Sequence, residues 1–154
     1  KIIAKAGDSF DFGSGVKAKV FWPEQKALSS ATDTNDSSIV MKLSYGEIDF
    51  LLTGDATETV EKGLLQYDLD SEFLKVAHHG SRYASGTAFL QRARPLVSFI
   101  SVGRGNTYGH PTEETLSRLL MAGSRVLRTD IAGTIEVDVG QDGKWTIVCE
   151  KTCG

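Results

Sequence analysis

The change of pattern at Asp55 is the sequence feature that most constrains the fold. Before it, SIVMKLSYGEIDFLLTG reads as two strands, 38–44 and 48–54, joined by a tight turn at residues 45–47. After it, short apolar runs of strand length alternate with segments of helical spacing. Strands that alternate with helices form parallel pairs, whereas a hairpin forms an antiparallel pair. The sequence therefore predicts an α/β (α+β) fold, a mixed sheet with helices on one face.

The other predicted elements follow from the same periodicities. Upstream of the hairpin, VKAKVFW alternates as a strand does, and residues 24–38 form a polar loop without periodicity. A helix over 111–122 is predicted with Pro111 at its first position and Gly123 beyond its end. Two more helices are predicted at 56–67 and 86–93, and further strands at 72–77, 96–103, 125–130, 134–139 and 144–150.

Length and composition are those of one globular domain. The chain has 154 residues, of which 40% are hydrophobic, and no run approaches the roughly 18 apolar residues of a membrane helix. It starts at Lys1 rather than Met, so we expect it to be part of a longer protein. Cys149 and Cys153 are expected to be a free or loosely paired tail, because two cysteines are too few for structural zinc.

Positive charge is concentrated in the middle of the chain. The formal net charge of -3 argues against a general nucleic-acid binder, but residues 75–128 hold 8 Lys and Arg against 2 Asp and Glu. A positive local field would attract an anionic substrate such as a phosphate. The alternative is that these arginines lie on the outer faces of amphipathic helices.

Three loops that follow buried strands carry side chains suited to catalysis. Asp55 ends FLLTGD, His78 and His79 follow LKVA, and His110 ends the loop SVGRGNTYGH. Each has a purely structural alternative: a helix N-cap for Asp55, a buried structural role for a histidine, and loop bracing for His110. Adjacent residues of an extended chain point to opposite sides, so one of the paired histidines could face a ligand.

The residue types at these strand ends favour metal chemistry. Ligands commonly bind at strand ends in sheets that carry helices. Carboxylate and imidazole suit Zn²⁺ or Mn²⁺, and nearby cations suit cleavage of a phosphate ester by a metal-activated water.

Four motifs in this order resemble one bacterial family. NDSSIVMKLSYGEIDFLLTGD, LKVAHHGS, SVGRGNTYGHP and RTDIAGTIEV are similar to the C-terminal metallo-β-lactamase-fold domain of the ComEC family, the DNA-internalisation proteins of competence. The similarity covers about residues 35–139. It implies the C-terminal half of a metallo-β-lactamase-like αββα sandwich, in which two ββα halves pack together and metals lie at the edge between them.

The resemblance also implies roles for individual residues. Asp55 would bind or bridge metal, and of His78 and His79 one would be a ligand while its neighbour faces substrate. Lys75 and His110 would be catalytic, since they could hold a phosphate or stabilise its developing charge. The same loops hold Ser81, Asn106 and Tyr108, which we expect to contact substrate.

The chain departs from the family pattern in one respect. The principal metal motif, H-x-[HD]-x-D-H, does not occur, and residues 1–54 contain no histidine. We therefore interpret residues 1–154 as a single partial domain without the N-terminal metal-motif half. Since catalytic zinc commonly has three protein ligands, we expect the isolated chain to be inactive and to bind Zn or Mn poorly or not at all. An uncovered sheet face would also favour a homodimer.

Three functions are compatible with this reading. In the first, the longer protein is a membrane-embedded component of the competence (transformation) DNA-uptake machinery. This domain would lie on the extracytoplasmic side of the bacterial cell membrane. It would be a metal-dependent nuclease or phosphodiesterase that degrades the non-transported DNA strand. In the second, the domain is a non-catalytic module that binds DNA or a partner. In the third, it is another phosphoesterase, such as a phosphorylcholine esterase.

Overall fold

A computed structural model describes residues 3–24 and 34–153. Within these ranges the chain forms nine strands and four α-helices, with short 3₁₀ turns at Thr34–Ser37 and Ala77–Gly80. The strands are β1 (Ser9–Gly13), β2 (Val16–Trp22), β3 (Val40–Tyr45), β4 (Ile48–Leu52), β5 (Phe73–Lys75), β6 (Val97–Ile100), β7 (Arg125–Arg128), β8 (Ile135–Val139) and β9 (Trp145–Cys149). The helices are α1 (Glu58–Leu64), α2 (Thr87–Ala93), α3 (Glu113–Met121) and α4 (Thr129–Ala132).

Seven strands form one mixed sheet in the order β1-β2-β3-β4-β5-β6-β7. The first four pair antiparallel, and β4 to β7 pair parallel. This arrangement confirms the predicted mixed sheet. Because β4 to β7 run in the same direction, the loops that follow them emerge at one edge, called here the carboxyl edge.

The larger hydrophobic core lies between this sheet and the helices. Leu51 and Leu74 of the central strands pack in one cluster with Val60 of α1, Phe89 of α2 and Leu119 of α3. All five side chains are buried. The prediction of helices on one face is therefore confirmed.

The opposite face of the parallel strands is covered by a separate hairpin. β8 and β9 pair antiparallel in a two-stranded sheet of their own. Phe73 of β5 stacks on Phe50 and Phe99 with ring centroids 4.5 and 5.7 Å away, and meets Trp145 of β9 edge-on at 5.1 Å. The hairpin is thus a second layer held to the sheet by an aromatic cluster.

Some boundaries differ from the sequence predictions. β1 was not predicted, and α3 begins at Glu113 with Thr112 as its N-cap, so the assignment of Pro111 to the first helical position is wrong. Cys149 and Cys153, expected to be a free or loosely paired tail, form a disulfide with each other. Most of the predicted polar loop, residues 25–33, lies outside the described residues, and among those described no helix is both long and apolar enough to span a bilayer.

We predict that Phe73→Ala will lower the free energy of unfolding by about 3–5 kcal/mol, because it removes the ring shared by sheet and hairpin. Phe12→Ala is the control, since Phe12 is 65% exposed on β1, and it should change stability by less than about 0.5 kcal/mol. Urea denaturation followed by tryptophan fluorescence measures both. Similar losses in the two variants would contradict this account of the core.

Candidate functional site at the carboxyl edge

Asp55 lies in the turn that follows β4 and is held there by backbone contacts. The N–H of Asp55 donates to the Ser38 hydroxyl at 3.2 Å, and the carbonyl of the preceding Gly54 accepts the N–H of His78 at 3.1 Å. The N-cap of α1 is Thr57 rather than Asp55, so the capping alternative for Asp55 does not hold. Its carboxylate is 42% exposed and available to a ligand.

The paired histidines adopt a left-handed turn rather than the extended conformation assumed from the sequence. The φ angles of His78, His79 and Gly80 are 47°, 54° and 84°. Glycine is required at position 80, because an added Cβ would lie 2.5 Å from Cβ of Pro111. Non-glycine residues with positive φ are strained and concentrate at functional sites. The argument that adjacent histidines point to opposite sides of an extended strand is therefore wrong.

The ring of His79 is oriented by a backbone carbonyl and directed towards Asp55. Its Nδ1 lies 2.6 Å from the carbonyl oxygen of Ser101, and its Nε2 lies 3.7 Å from Oδ1 of Asp55. A carbonyl oxygen can only accept a hydrogen bond, so Nδ1 must carry the proton in the neutral ring. The lone pair is then on Nε2, the atom nearest the carboxylate.

His78 and His110 form the other half of a histidine cluster. Their ring centroids are 5.9 Å apart, and those of His78 and His79 are 6.5 Å apart. Burial lowers the pKa of His110, and the positive charge of His78, His79 and Arg82 lowers it further. Nδ1 of His110 is buried and makes no hydrogen bond within the described part of the chain.

A cleft of about 430 Å³ opens beside these rings. Asn106 shapes its loop wall, because its side chain donates to the His110 carbonyl at 2.7 Å and accepts the His110 N–H at 3.1 Å. Tyr108 stacks on His110 at 6.2 Å and is 82% exposed. Both residues line the cleft, together with His79, Ser101, His110 and Thr129.

Four of the proposed site residues lie outside this lining: Asp55 and His78, described above, and Lys75 and Ser81. Nζ of Lys75 donates to the Val76 carbonyl at 2.9 Å. Burial lowers the pKa of Lys75, and the nearby Asp55 carboxylate opposes the shift. Ser81 is buried, and its carbonyl accepts the Thr115 hydroxyl at 2.8 Å. The structure thus gathers Asp55 and the three histidines at the edge, with Lys75 beneath them and Ser81 in a bracing position.

Several supporting residues were not identified from the sequence. Ser38 holds the Asp55 backbone, and Asp36 accepts the Thr57 hydroxyl at 2.5 Å, so the segment before β3 supports the Asp55 turn. Thr129 accepts the N–H of Val102 at 2.8 Å. In the sequence, Asp36 and Ser38 were marked only by the motif NDSS, and the polar composition of this motif suggested an ordinary loop.

Glu61 and Arg118 hold the segment 81–86 that follows the histidines. The Glu61 carboxylate accepts the N–H groups of Ser85 and Gly86 at 2.5 and 2.8 Å, while Arg118 donates to the carbonyls of Arg82, Ala84 and Ser85. Burial raises the pKa of Glu61 to about 7. The hydrogen bonds from the two N–H groups and the positive charge of Arg118 act in the opposite direction and lower this pKa. The segment is therefore fixed from both sides by charged side chains.

The donor atoms fit a divalent cation in part. Asp55 Oδ1 and His79 Nε2 are suitable zinc or manganese ligands and face each other, and the unpaired His110 Nδ1 lies in the same cluster. Over residues 3–24 and 34–153, however, no group of three or more His, Cys, Asp or Glu side chains is placed to hold one ion. These residues supply two positions of such a site and do not complete it.

The fold and the edge residues together define the class of protein. The mixed sheet has helices on one face, a two-stranded hairpin on the other, and a carboxylate and imidazoles at the strand ends, so it is an α+β sandwich with a candidate site at its carboxyl edge. No family model matches the chain.

Known proteins identify the family. The chain is 38% identical over 104 residues to "ComE operon protein 3" of Bacillus subtilis, which covers 66% of the chain, and 35% identical over 114 residues to "Competence protein ComA" of Neisseria gonorrhoeae, which covers 72%. It is 33% identical over 108 residues, 70% of the chain, to "Recombination protein 2" of Haemophilus influenzae. The chain belongs to the ComEC family as part of its C-terminal domain, and the aligned parts span 13% to 16% of these relatives.

We predict that Glu61 makes stability depend on pH. Its folded pKa of about 7 exceeds the ordinary 4.5, so its contribution is complete below pH 4.5 and is lost as pH rises to 7, by roughly 3 kcal/mol. Urea unfolding at a series of pH values, compared with Glu61→Gln, measures this. The stability of the wild type relative to the variant should fall over that range. A constant difference would contradict the raised pKa.

We also predict that neutral His79 is the Nδ1–H tautomer, because Ser101 offers only a carbonyl oxygen. Long-range ¹H–¹⁵N spectra of the metal-free chain, recorded well above the ordinary histidine pKa of about 6.5, report the tautomer directly. His79→Gln assigns the resonance. A dominant Nε2–H form would contradict the orientation described here.

Proposed function

We propose that the chain is one wall of a metal-dependent phosphodiesterase or nuclease site in a DNA-uptake protein, and that the reaction degrades the non-transported DNA strand. The observation that carries the proposal is the pair formed by Asp55 Oδ1 and His79 Nε2, 3.7 Å apart. A carboxylate beside an imidazole whose other nitrogen is held by a carbonyl is the usual arrangement around metal-ligating histidine.

In this proposal Asp55 and His79 are the metal ligands supplied by this chain. Of the two adjacent histidines, His79 is preferred because Ser101 leaves its Nε2 lone pair directed at Asp55. A bound Zn²⁺ or Mn²⁺ would polarise the phosphodiester and activate water. The remaining ligands would come from another segment of a longer protein, since the described residues supply too few.

The other edge residues would bind and orient the substrate. His110 and His78 lie next to the ligand pair and can donate hydrogen bonds to phosphate oxygens. Lys75, beneath the edge, would offset the negative charge of Asp55. Asn106 fixes the His110 backbone, and Tyr108 presents an exposed ring beside the cleft for a nucleobase.

The relatives support the biological setting. Two of them are named for competence or its operon, and on that basis we propose that the chain works with the DNA-uptake machinery of a membrane-embedded protein. The Cys149–Cys153 disulfide favours an oxidising compartment, which supports a position on the extracytoplasmic side of the bacterial membrane.

Metal content and hydrolysis test the proposal together. We expect Asp55→Asn or His79→Gln, introduced into a family protein containing this region, to remove metal retained after exposure to Mn²⁺ or Zn²⁺ and desalting. Both should lower hydrolysis of single-stranded DNA and of bis(p-nitrophenyl) phosphate at least about 100-fold, since ligand loss removes the metal. The control is Asp142→Asn, an exposed carboxylate in the β8–β9 turn, which should retain metal and activity.

The other outcomes would select the other functions. Full metal-dependent activity in Asp55→Asn would refute the assignment. DNA binding that is indifferent to chelator and to both substitutions, without hydrolysis, would indicate a non-catalytic binding module. Preferential cleavage of a phosphorylcholine ester would indicate a different phosphoesterase.

A further inference from the structure

We propose that a second groove beside the cleft binds the sugar–phosphate backbone of a nucleic acid strand and holds the nucleotides next to the scissile phosphate. This inference rests on the proposed function and concerns a surface away from Asp55 and the histidines. The surface, called here the strand groove, has a volume of about 420 Å³ and presents Arg104, Thr134 and Lys151.

The strand groove and the cleft adjoin each other. Both are lined by Ser101, Val102, Gly103 and Thr129, which follow β6 and β7 at the carboxyl edge. A ligand that lies in the cleft against His79 and His110 is therefore next to the strand groove and can extend into it past these shared residues. A mononucleotide would be bound by the cleft alone, whereas a longer strand would also occupy the strand groove.

Arg104 is the member of the basic segment best placed to receive a phosphate. All six other arginines of residues 75–128 are engaged within the fold, by a carboxylate or by backbone carbonyls: Arg82 with Glu114, Arg92 with Tyr67, Arg94 with Asp70, Arg118 with residues 82–85, Arg125 with Cys153 and Arg128 with Asp130. Arg104 makes one long contact, from Nε to the Asp130 carbonyl at 3.4 Å. In the described part of the chain it forms no ion pair.

The carboxylates of the strand groove are already engaged. Asp130 is bound by both Nε and Nη2 of Arg128, at 3.0 and 2.7 Å. Glu150 accepts the N–H and hydroxyl of Thr134 at 3.0 and 3.1 Å. Because Arg128 offsets the charge of Asp130 and Glu150 is turned onto Thr134, the cations of the groove remain available to a phosphate.

Lys151 is presented on a fixed backbone. It lies inside the five-residue loop closed by the Cys149–Cys153 disulfide, and its N–H donates to the Ala132 carbonyl at 3.0 Å. No carboxylate lies within ion-pair distance of its ammonium group among the residues that the structure describes. Arg104 and Lys151 thus offer two cations to the groove.

The other end of the path carries an exposed aromatic ring. Tyr108, 82% exposed beside His110, offers a face on which a base can stack. A cationic groove combined with an aromatic platform is the pattern of single-strand binding without sequence preference. The strand would run from Tyr108 across His79 and His110 to Arg104 and Lys151.

The test measures binding of the chain itself to a fluorescein-labelled single-stranded oligonucleotide by fluorescence anisotropy over a range of salt concentrations. Arg104→Ala and Lys151→Ala should each weaken binding about five- to tenfold at low salt. Each should also reduce the slope of log K against log [salt] by about 0.7, one phosphate contact on a single strand. Lys144→Ala, a cation paired with Asp142 in the hairpin turn, is the matched control and should change neither.

Length dependence provides a second measurement. Unlabelled oligonucleotides should compete more strongly than a mononucleotide with the wild type, and this advantage should shrink in the Arg104→Ala, Lys151→Ala double variant. Circular dichroism checks that every variant is folded. No binding by the wild type, equal competition by mononucleotide and oligonucleotide, or unchanged binding in the double variant would each overturn the inference.

The result separates this inference from the proposed function. If hydrolysis requires Asp55 and His79 while both groove variants bind and cleave oligonucleotides normally, the strand groove is wrong and the hydrolase proposal survives. If oligonucleotide binding depends on Arg104 and Lys151 but the family protein that contains this region cleaves no phosphodiester, the groove is supported and the hydrolase proposal fails. Loss of oligonucleotide cleavage with retained cleavage of bis(p-nitrophenyl) phosphate in the groove variants supports both.

Discussion

The left-handed turn at His78, His79 and Gly80 is the constraint on which the geometry of the edge depends. A non-glycine residue in this conformation costs about 1–2 kcal/mol, and two occur in succession. The turn is held by the His78 N–H on the Gly54 carbonyl, by the Ser81 N–H on the His78 carbonyl and by the Thr112 N–H on the Gly80 carbonyl. It therefore links the end of β4 to the start of α3. The His79 ring reaches both Ser101 and Asp55 because the backbone is bent in this way.

Buried charge supports the turn from below. Glu61 and Arg118 bind the amides and the carbonyls, respectively, of the segment that follows Gly80. A carboxylate and a guanidinium used in this manner stabilise a loop that has little apolar surface of its own, at the cost of desolvating the carboxylate. The cost is visible in the raised pKa of Glu61. The strain at the histidines is thus supported by a neighbouring polar network.

Apart from α4, the order of strands and helices from β2 onwards was predictable because each of these elements has a clear period and apolar character. The short helix α4 was missed because Thr129 and Asp130 were assigned to the preceding strand, which ends at Arg128. β1 was missed because SFDFG is exposed or half-buried along its length, so no apolar face marks it. The start of α3 was misplaced because proline at a helix start is common, whereas here Pro111 packs against Gly80 and Thr112 caps the helix. The covering of the second face by β8 and β9 depends on contacts distant in sequence, which periodicity does not report.

The site was predictable as a set of strand-end residues but not as a geometry. Asp55, His78, His79 and His110 were identified because each follows a buried strand, and the structure gathers them at one edge. The choice between His78 and His79 needed the Ser101 carbonyl, which is 22 residues away along the chain. Charge counting could not separate Arg104 from the other arginines, because their carboxylate and carbonyl partners arise from the tertiary fold.

The loop after β6 contributes to the cleft with some residues and to the strand groove with others. Ser101 orients His79, and Asn106 fixes His110, so these two act on the cleft. Arg104, between them in sequence, lines the groove and donates to the Asp130 carbonyl. The side chain of Asn106 bonds both the N–H and the carbonyl of His110, so the His110 backbone is held by Asn106 rather than by Arg104. The orientation of the histidines and the binding of a flanking strand are therefore physically separable properties of one short loop.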